Sequence, residues 1–197
     1  ASSIGSMRMA EIHGDSDSTY VVVRNKGPLD FASFQLLQKT RYTEWTAVGP
    51  RVSRDDDPVL SKLLRVGSEF FMLGSFEDYN YLPYGIFHGA GLRLEGDVWR
   101  DMGLSGWVKE AVVYGNSIIA SGYNLKGAYP VRHRSSTMAR YDVASKRWFS
   151  MQQNHADDKL FDMEVHEGKV WISGIFHDQS GAPAAQLAAW DPVNGWS

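Results

Sequence analysis

The side chains best suited to recognition chemistry are gathered in three long polar segments. Residues 77–89 (EDYNYLPYGIFHG) hold Tyr79, Tyr81, Tyr84 and His88 beside Glu77 and Asp78. Flat amphipathic rings next to carboxylate acceptors suit a sugar face or a peptide side chain. Residues 124–135 (NLKGAYPVRHRS) add Tyr129, Arg132, His133 and Arg134, and a guanidinium can hold a carboxylate or phosphate through paired hydrogen bonds. Residues 177–184 (HDQSGAPA) contribute His177 and Asp178. Together these residues form the expected ligand-binding set, since long loops in compact domains commonly carry function. The competing reading packs the tyrosines and Pro83 onto their own sheet and leaves the basic residues solvated.

Catalytic chemistry is harder to place. The chain contains no G-x-S-x-G, no P-loop and no dinucleotide fingerprint. A glycosidase needs two carboxylates about 5–10 Å apart across a pocket, and Glu77 or Asp78 with Asp178 could supply them, but nothing selects a pair. The aspartate run Asp55, Asp56 and Asp57, and the group His155, Asp157 and Asp158, lack the alternating spacing of a calcium loop. Six scattered histidines, among them His166, show no H-x-H or H-x-x-x-H pattern. With no cysteine, thiol catalysis, disulfides and Cys-ligated zinc are excluded. The expectation is no metal, no cofactor and no catalytic residue.

Four tryptophans close four similar stretches: Trp45 (TEW), Trp99 (GDVW), Trp148 (SKRW) and Trp196 (NGW), spaced by 54, 49 and 48 residues. Repetition at this period marks one supersecondary unit copied along the chain. The fourth unit predicts strands over 160–167 and 169–176, then 185–191, with a turn toward Trp196. The third predicts 108–115, 116–123, 136–143 and 147–151. The second predicts 59–66, 69–76, 91–96 and 98–103. The first, the most degraded, predicts 7–13, 19–25, 33–39 and 44–49. Alternating apolar residues bounded by turn residues support each strand.

The fold expected is all-β, a β-propeller of four four-stranded antiparallel blades over 7–50, 58–103, 107–152 and 159–197. Residues 1–6 are expected to be a cloning remnant or a disordered N-terminus. Small residues at Gly74-Ser75, Ser121-Gly122 and Ser173-Gly174 are expected where converging blades leave no room for bulk. Each closing tryptophan is expected to pack against a neighbouring blade, burying up to ~250 Å². Asp142 and Asp191 are expected to accept turn N–H groups.

A glycine-containing doublet after an apolar strand, a variable loop, an aromatic-Asp pair and then a tryptophan together resemble the kelch repeat. The residues are Ser121-Gly122, Tyr141-Asp142 and Trp148, and again Ser173-Gly174, Trp190-Asp191 and Trp196. The resemblance covers 108–197 and in part 59–103, and each doublet has one serine in place of a second glycine. It implies a kelch-like or galactose-oxidase-like propeller, with sites on the face where second-to-third-strand and blade-to-blade loops open. The tyrosine–cysteine copper centre of galactose oxidases cannot be built here, because the chain has no cysteine.

A chain of 197 residues with 43% hydrophobic content can bury roughly 70% of its unfolded surface. A net charge of −3 gives no field for nucleic acid, and no apolar run approaches the ~20 residues of a membrane helix. The expected function is noncatalytic recognition of a protein or glycan through the long-loop face. A polysaccharide hydrolase or lyase and a structural segment of a larger surface or assembly protein are the alternatives. An extracellular or cell-surface setting is preferred over the cytoplasm. Four blades can close a ring, belong to a longer propeller, or pair as an open half with a second copy.

Overall fold

A computed structural model describes residues 7–14, 17–26, 32–54, 59–78, 87–127, 136–151, 159–177 and 183–197. All regular structure among them is strand. The first sheet runs β1 (Met7–Gly14), β2 (Ser18–Lys26), β3 (Ala32–Thr40) and β4 (Thr46–Ala47), with β5 (Val52–Arg54) also paired to β3. The second holds β6 (Val59–Val66), β7 (Glu69–Asp78), β8 (Phe87–Glu95) and β9 (Val98–Asp101). The third holds β10 (Ser105–Tyr114), β11 (Ser117–Lys126), β12 (Ser136–Asp142) and β13 (Arg147–Ser150). The fourth holds β14 (Lys159–His166), β15 (Lys169–His177), β16 (Pro183–Asp191) and β17 (Gly195–Trp196). Every pairing is antiparallel and follows chain order, apart from the extra strand on β3. The four predicted units are therefore four antiparallel sheets.

Local chemistry explains the tight order. The first two strands of the second and third sheets are joined by two-residue turns opening on Gly67 (φ +60°) and Gly115 (φ +57°), a backbone shape that matches strand twist and that glycine adopts without strain. In all four sheets the first strand carries an irregularity at the same place: between Met9 and Glu11, Leu60 and Lys62, Val108 and Glu110, and Leu160 and Asp162. Such bulges add one residue to a strand and bend it. Opposite them stand Val23, Gly74, Gly122 and Gly174. A Cβ on Gly74 would run into the Val59 carbonyl, and one on Gly122 into the Trp107 carbonyl.

This changes the reason for the small doublets. The crowding documented at Gly74 and Gly122 comes from the bulged strand of the same sheet. The register also shows that the repeated feature is one glycine, because Gly74 leads its doublet while Gly122 and Gly174 end theirs.

The chain divides into two compact units, Ala1–Met102 and Gly103–Ser197. In the first, Tyr20, Val22, Phe34 and Leu36 of the first sheet meet Phe70, Met72, Leu92, Leu94 and Trp99 of the second. The Tyr20 and Phe70 rings meet at a tilt of 52° with centroids 4.5 Å apart, and the Arg65 guanidinium lies over both. In the second unit, Ile119 and Met138 of the third sheet meet Leu160, Met163, Val170 and Ile172 of the fourth, flanked by Trp190 and Trp196. Directly paired residues of an antiparallel ladder share a face, so both units pack alike. The face that carries the closing tryptophan meets the opposite face of the preceding sheet.

The tryptophans fasten this packing. Trp99 Nε1–H donates to the Pro50 carbonyl at 3.0 Å, and Trp196 Nε1–H to the Met151 carbonyl at 3.3 Å. Both acceptors lie just past the fourth strand of the preceding sheet. Trp99 and Trp148 are buried, and Trp148 packs on Tyr141 with ring centroids 5.1 Å apart. Trp45 departs from the pattern at 44% exposure. Its row is Thr19 and Lys39, with the Lys39 ammonium 6.0 Å from the ring centroid. In the second sheet the corresponding row holds Phe70 and Leu94 beside Trp99. Polar neighbours on the first sheet leave its tryptophan no apolar bed.

The turn aspartates behave as expected. Asp191 accepts the Val193 and Asn194 N–H groups at 2.8 and 2.6 Å, and Asp142 accepts that of Ser145 at 2.7 Å. Hydrogen bonds from Asn194 hold the Asp191 carboxyl below its ordinary range, and those from Ser145 do the same for Asp142. A carboxylate whose folded pKa is depressed stabilises fully above its unfolded value, about 3.9, and loses that contribution as pH falls through the folded value. Asp191→Ala is therefore expected to lower the melting temperature at neutral pH. The difference from the parent should shrink as the scan is repeated at pH values below about 4.

Candidate functional site

In each of the last three sheets the second and third strands run past the body of the sheet toward the long connection between them. Their ladders break just after the bulge, between Leu73 and Phe76, Ser121 and Leu125, and Ser173 and Phe176. Pairing then resumes as a short ribbon. Glu77, Asp78 and His88 accordingly lie on β7 and β8, where Glu77 pairs with His88 and Asp78 with Phe87. His177 ends β15 opposite Pro183. Strand pairing thus brings Glu77 and His88 together, two residues that the sequence places at opposite ends of one segment. Tyr79, Tyr81, Tyr84, Tyr129, Arg132, His133, Arg134 and Asp178 lie outside the described residues, as do Asp55, Asp56, Asp57, His155, Asp157 and Asp158.

The same end of the third sheet carries a feature that the repeat conceals. Trp107 on β10 and Tyr123 on β11 are register partners. Their rings lie 5.5 Å apart at an interplanar angle of 47°, yet they stay 42% and 44% exposed. Such a cross-strand ring pair supports the sheet and also presents two aromatic faces to solvent. Next along β11, Asn124 is exposed and takes a left-handed backbone (φ +52°). Asn tolerates that conformation better than most residues. Gly106, immediately before Trp107, has no room for a side chain, since a Cβ would lie 2.5 Å from the Asn124 carbonyl oxygen. The backbone on both sides of the ring pair is thus closely specified.

A cationic group stands at the corresponding end of the neighbouring strands. Lys109 Nζ–H donates to the Leu160 carbonyl at 3.1 Å and sits 5.5 Å from the ring centroid of Phe161, which is 52% exposed. Lys109 and Phe161 are the residues inserted by the bulges of β10 and β14, so the irregularity that demands a glycine on one strand also re-aims a side chain on the other.

The equivalent paired positions in the other sheets are Val59 with Ser75 and Lys159 with Ile175. The ring pair is thus particular to the third sheet. Its sequence signal was Trp107 itself, a tryptophan off the spacing of the closing series.

Chemically, this end offers aromatic faces, an amide and an ammonium group. Among the described residues no group of three or more His, Asp or Glu side chains is gathered as a metal site. No helix is long and apolar enough to cross a membrane. Compared with models of protein families, the chain matches none, and it matches no curated protein.

Proposed function

We propose that the four sheets are blades of a kelch-like β-propeller, and that the chain is a noncatalytic recognition module whose ligand is a protein or a glycan. Of these two, a glycan is the better fit. The observation that carries this reading is the exposed Trp107–Tyr123 pair beside the exposed Asn124 amide. Aromatic faces pack against the C–H face of a sugar ring, and a nearby amide offers both donor and acceptor to its hydroxyls.

Trp107→Ala combined with Tyr123→Ala is expected to abolish capture by immobilised glycans while the chain stays folded with a melting temperature lowered by several degrees, because more than half of each ring is buried and the two rings support each other across the strands. The wild type should retain its glycan and release no product. Capture undiminished in the double variant would sink the assignment of the site. Soluble oligosaccharide appearing during incubation would replace the binder with a hydrolase or lyase.

A further inference from the structure

The exposed ring pair stands beside a cation that the fold holds in place. Alternate residues of a strand share a face, so Tyr123 and its partner Trp107 lie on the face of the third sheet that carries Ile119 and Ser121, the face packed on the fourth sheet within the second unit. Lys109 crosses the same gap, because its ammonium donates to the Leu160 carbonyl and lies against the Phe161 ring. Its Cα is at most about 7 Å along the strand from that of Trp107. An ammonium carries three N–H donors, and the Leu160 carbonyl takes one. Among the described residues Lys109 forms no ion pair. The neighbouring acids bind backbone: Glu110, paired with Ser121, accepts the Ala111 N–H at 3.1 Å, and Asp162 accepts the Met163 N–H at 2.9 Å. Asp162 also pairs with Ser173, on the face of the fourth sheet turned away from this core. From Ala111 to Tyr141 the sequence has no Asp or Glu, whereas Lys126 is exposed at the ring-pair end of β11.

We infer that the glycan bound here is anionic: a sugar ring lies on Trp107 and Tyr123 while its carboxylate or sulfate group accepts hydrogen bonds from the Lys109 ammonium. This rests on the reading of the ring pair as a glycan site. Hydrogen bonds to a charged group are about twice as strong as neutral ones. The contacts to Leu160 and Phe161 fix Lys109 before the ligand arrives, so less side-chain freedom is lost on binding. The rings grip charged and neutral sugars alike, and Lys109 selects between them.

Binding of the full chain to immobilised polygalacturonate, carrageenan and neutral galactan tests this, the first polymer offering carboxylates and the second sulfate esters. The wild type is expected to bind at least one anionic polymer at least about tenfold more tightly than galactan, and to weaken as salt rises. Lys109→Met should lose that preference, whereas Lys109→Arg keeps the charge and retains most of it. The Trp107→Ala, Tyr123→Ala double variant should release the anionic polymer too, which separates a site from simple ion exchange. Galactan held as tightly as the anionic polymers overturns the inference and leaves the glycan reading standing. An unchanged preference in Lys109→Met, or anionic capture that persists in the double variant, overturns it as well. So does binding to neither anionic polymer, and the glycan reading falls with it only if a panel of neutral polysaccharides is also ignored. The comparison with galactan uses the unaltered chain, so it decides the matter even if a melting scan shows Lys109→Met to be unfolded.

Discussion

Gly122→Ala is expected to lower stability by about 3 kcal/mol or more, while Ser121→Ala, one residue away, leaves it unchanged or slightly raised. The contrast follows from the bulge in β10. A Cβ on Gly122 meets the Trp107 carbonyl, then the Trp107 carbonyl carbon at 2.8 Å and the Val108 Cα at 2.9 Å. All three are backbone atoms, so relief requires the strand itself to move. Ser121 is fully buried, and its hydroxyl has no hydrogen-bond partner among the described residues. A buried hydroxyl without a partner is a cost that alanine removes, leaving only a small change in volume. Thermal unfolding of the two variants beside the parent makes the comparison. For a chain of this size each 1 kcal/mol shifts the midpoint by roughly 2–4 °C. Gly74→Ala should behave like Gly122→Ala, because its Cβ meets the Val59 backbone in the same way.

The second large effect is expected at Trp99. Its ring is 2% exposed, and its indole N–H reaches across to the Pro50 carbonyl. Burying roughly 200 Å² of aromatic surface at about 25 cal/mol per Å² is worth on the order of 5 kcal/mol as an upper bound. Trp99→Ala should therefore cost about 3–5 kcal/mol. Trp99→Phe keeps most of the apolar contact and loses the hydrogen bond, so its cost should be about 1–3 kcal/mol. Because Trp99 closes the core shared by the first two sheets, amides of β2 and β3 should lose hydrogen-exchange protection together with those of β7 and β8. Loss confined to β8 and β9 would mean that the tryptophan stabilises only its own sheet.

Strand positions were readable because each sheet is built from alternating apolar residues and ends in turn chemistry that sequence displays directly. The pairs Val66 with Glu69 and Tyr114 with Ser117 sit where the predicted strands meet, and Asp142 and Asp191 bind the turn N–H groups expected of them. The bulges were not readable. They depend on how two strands slip past each other, and the residues of the extra position, such as Lys109 and Phe161, have no distinctive type. The consequence was a misplaced reason for the glycines, which answer to their own sheet's bulged strand at Gly74 and Gly122. The ring pair was hidden for a related reason. Trp107 and Tyr123 are 16 positions apart, and only the register of β10 on β11 places them side by side. Trp45 differs again: its position follows the repeat, but the polar row of Thr19 and Lys39 beside it decides its exposure.

The closing tryptophans Trp99, Trp148 and Trp196 are buried or partly buried, Trp45 is exposed on the first sheet, and Trp107 is exposed at the proposed site. Nuclear magnetic resonance of their indole N–H groups reads both kinds at once, in a chain that has seven tryptophans. Titration with a glycan retained by the immobilised panel is expected to move the Trp107 indole signal and leave those of Trp99, Trp148 and Trp196 in place. Shifts at the buried closing tryptophans with Trp107 unmoved would contradict the account.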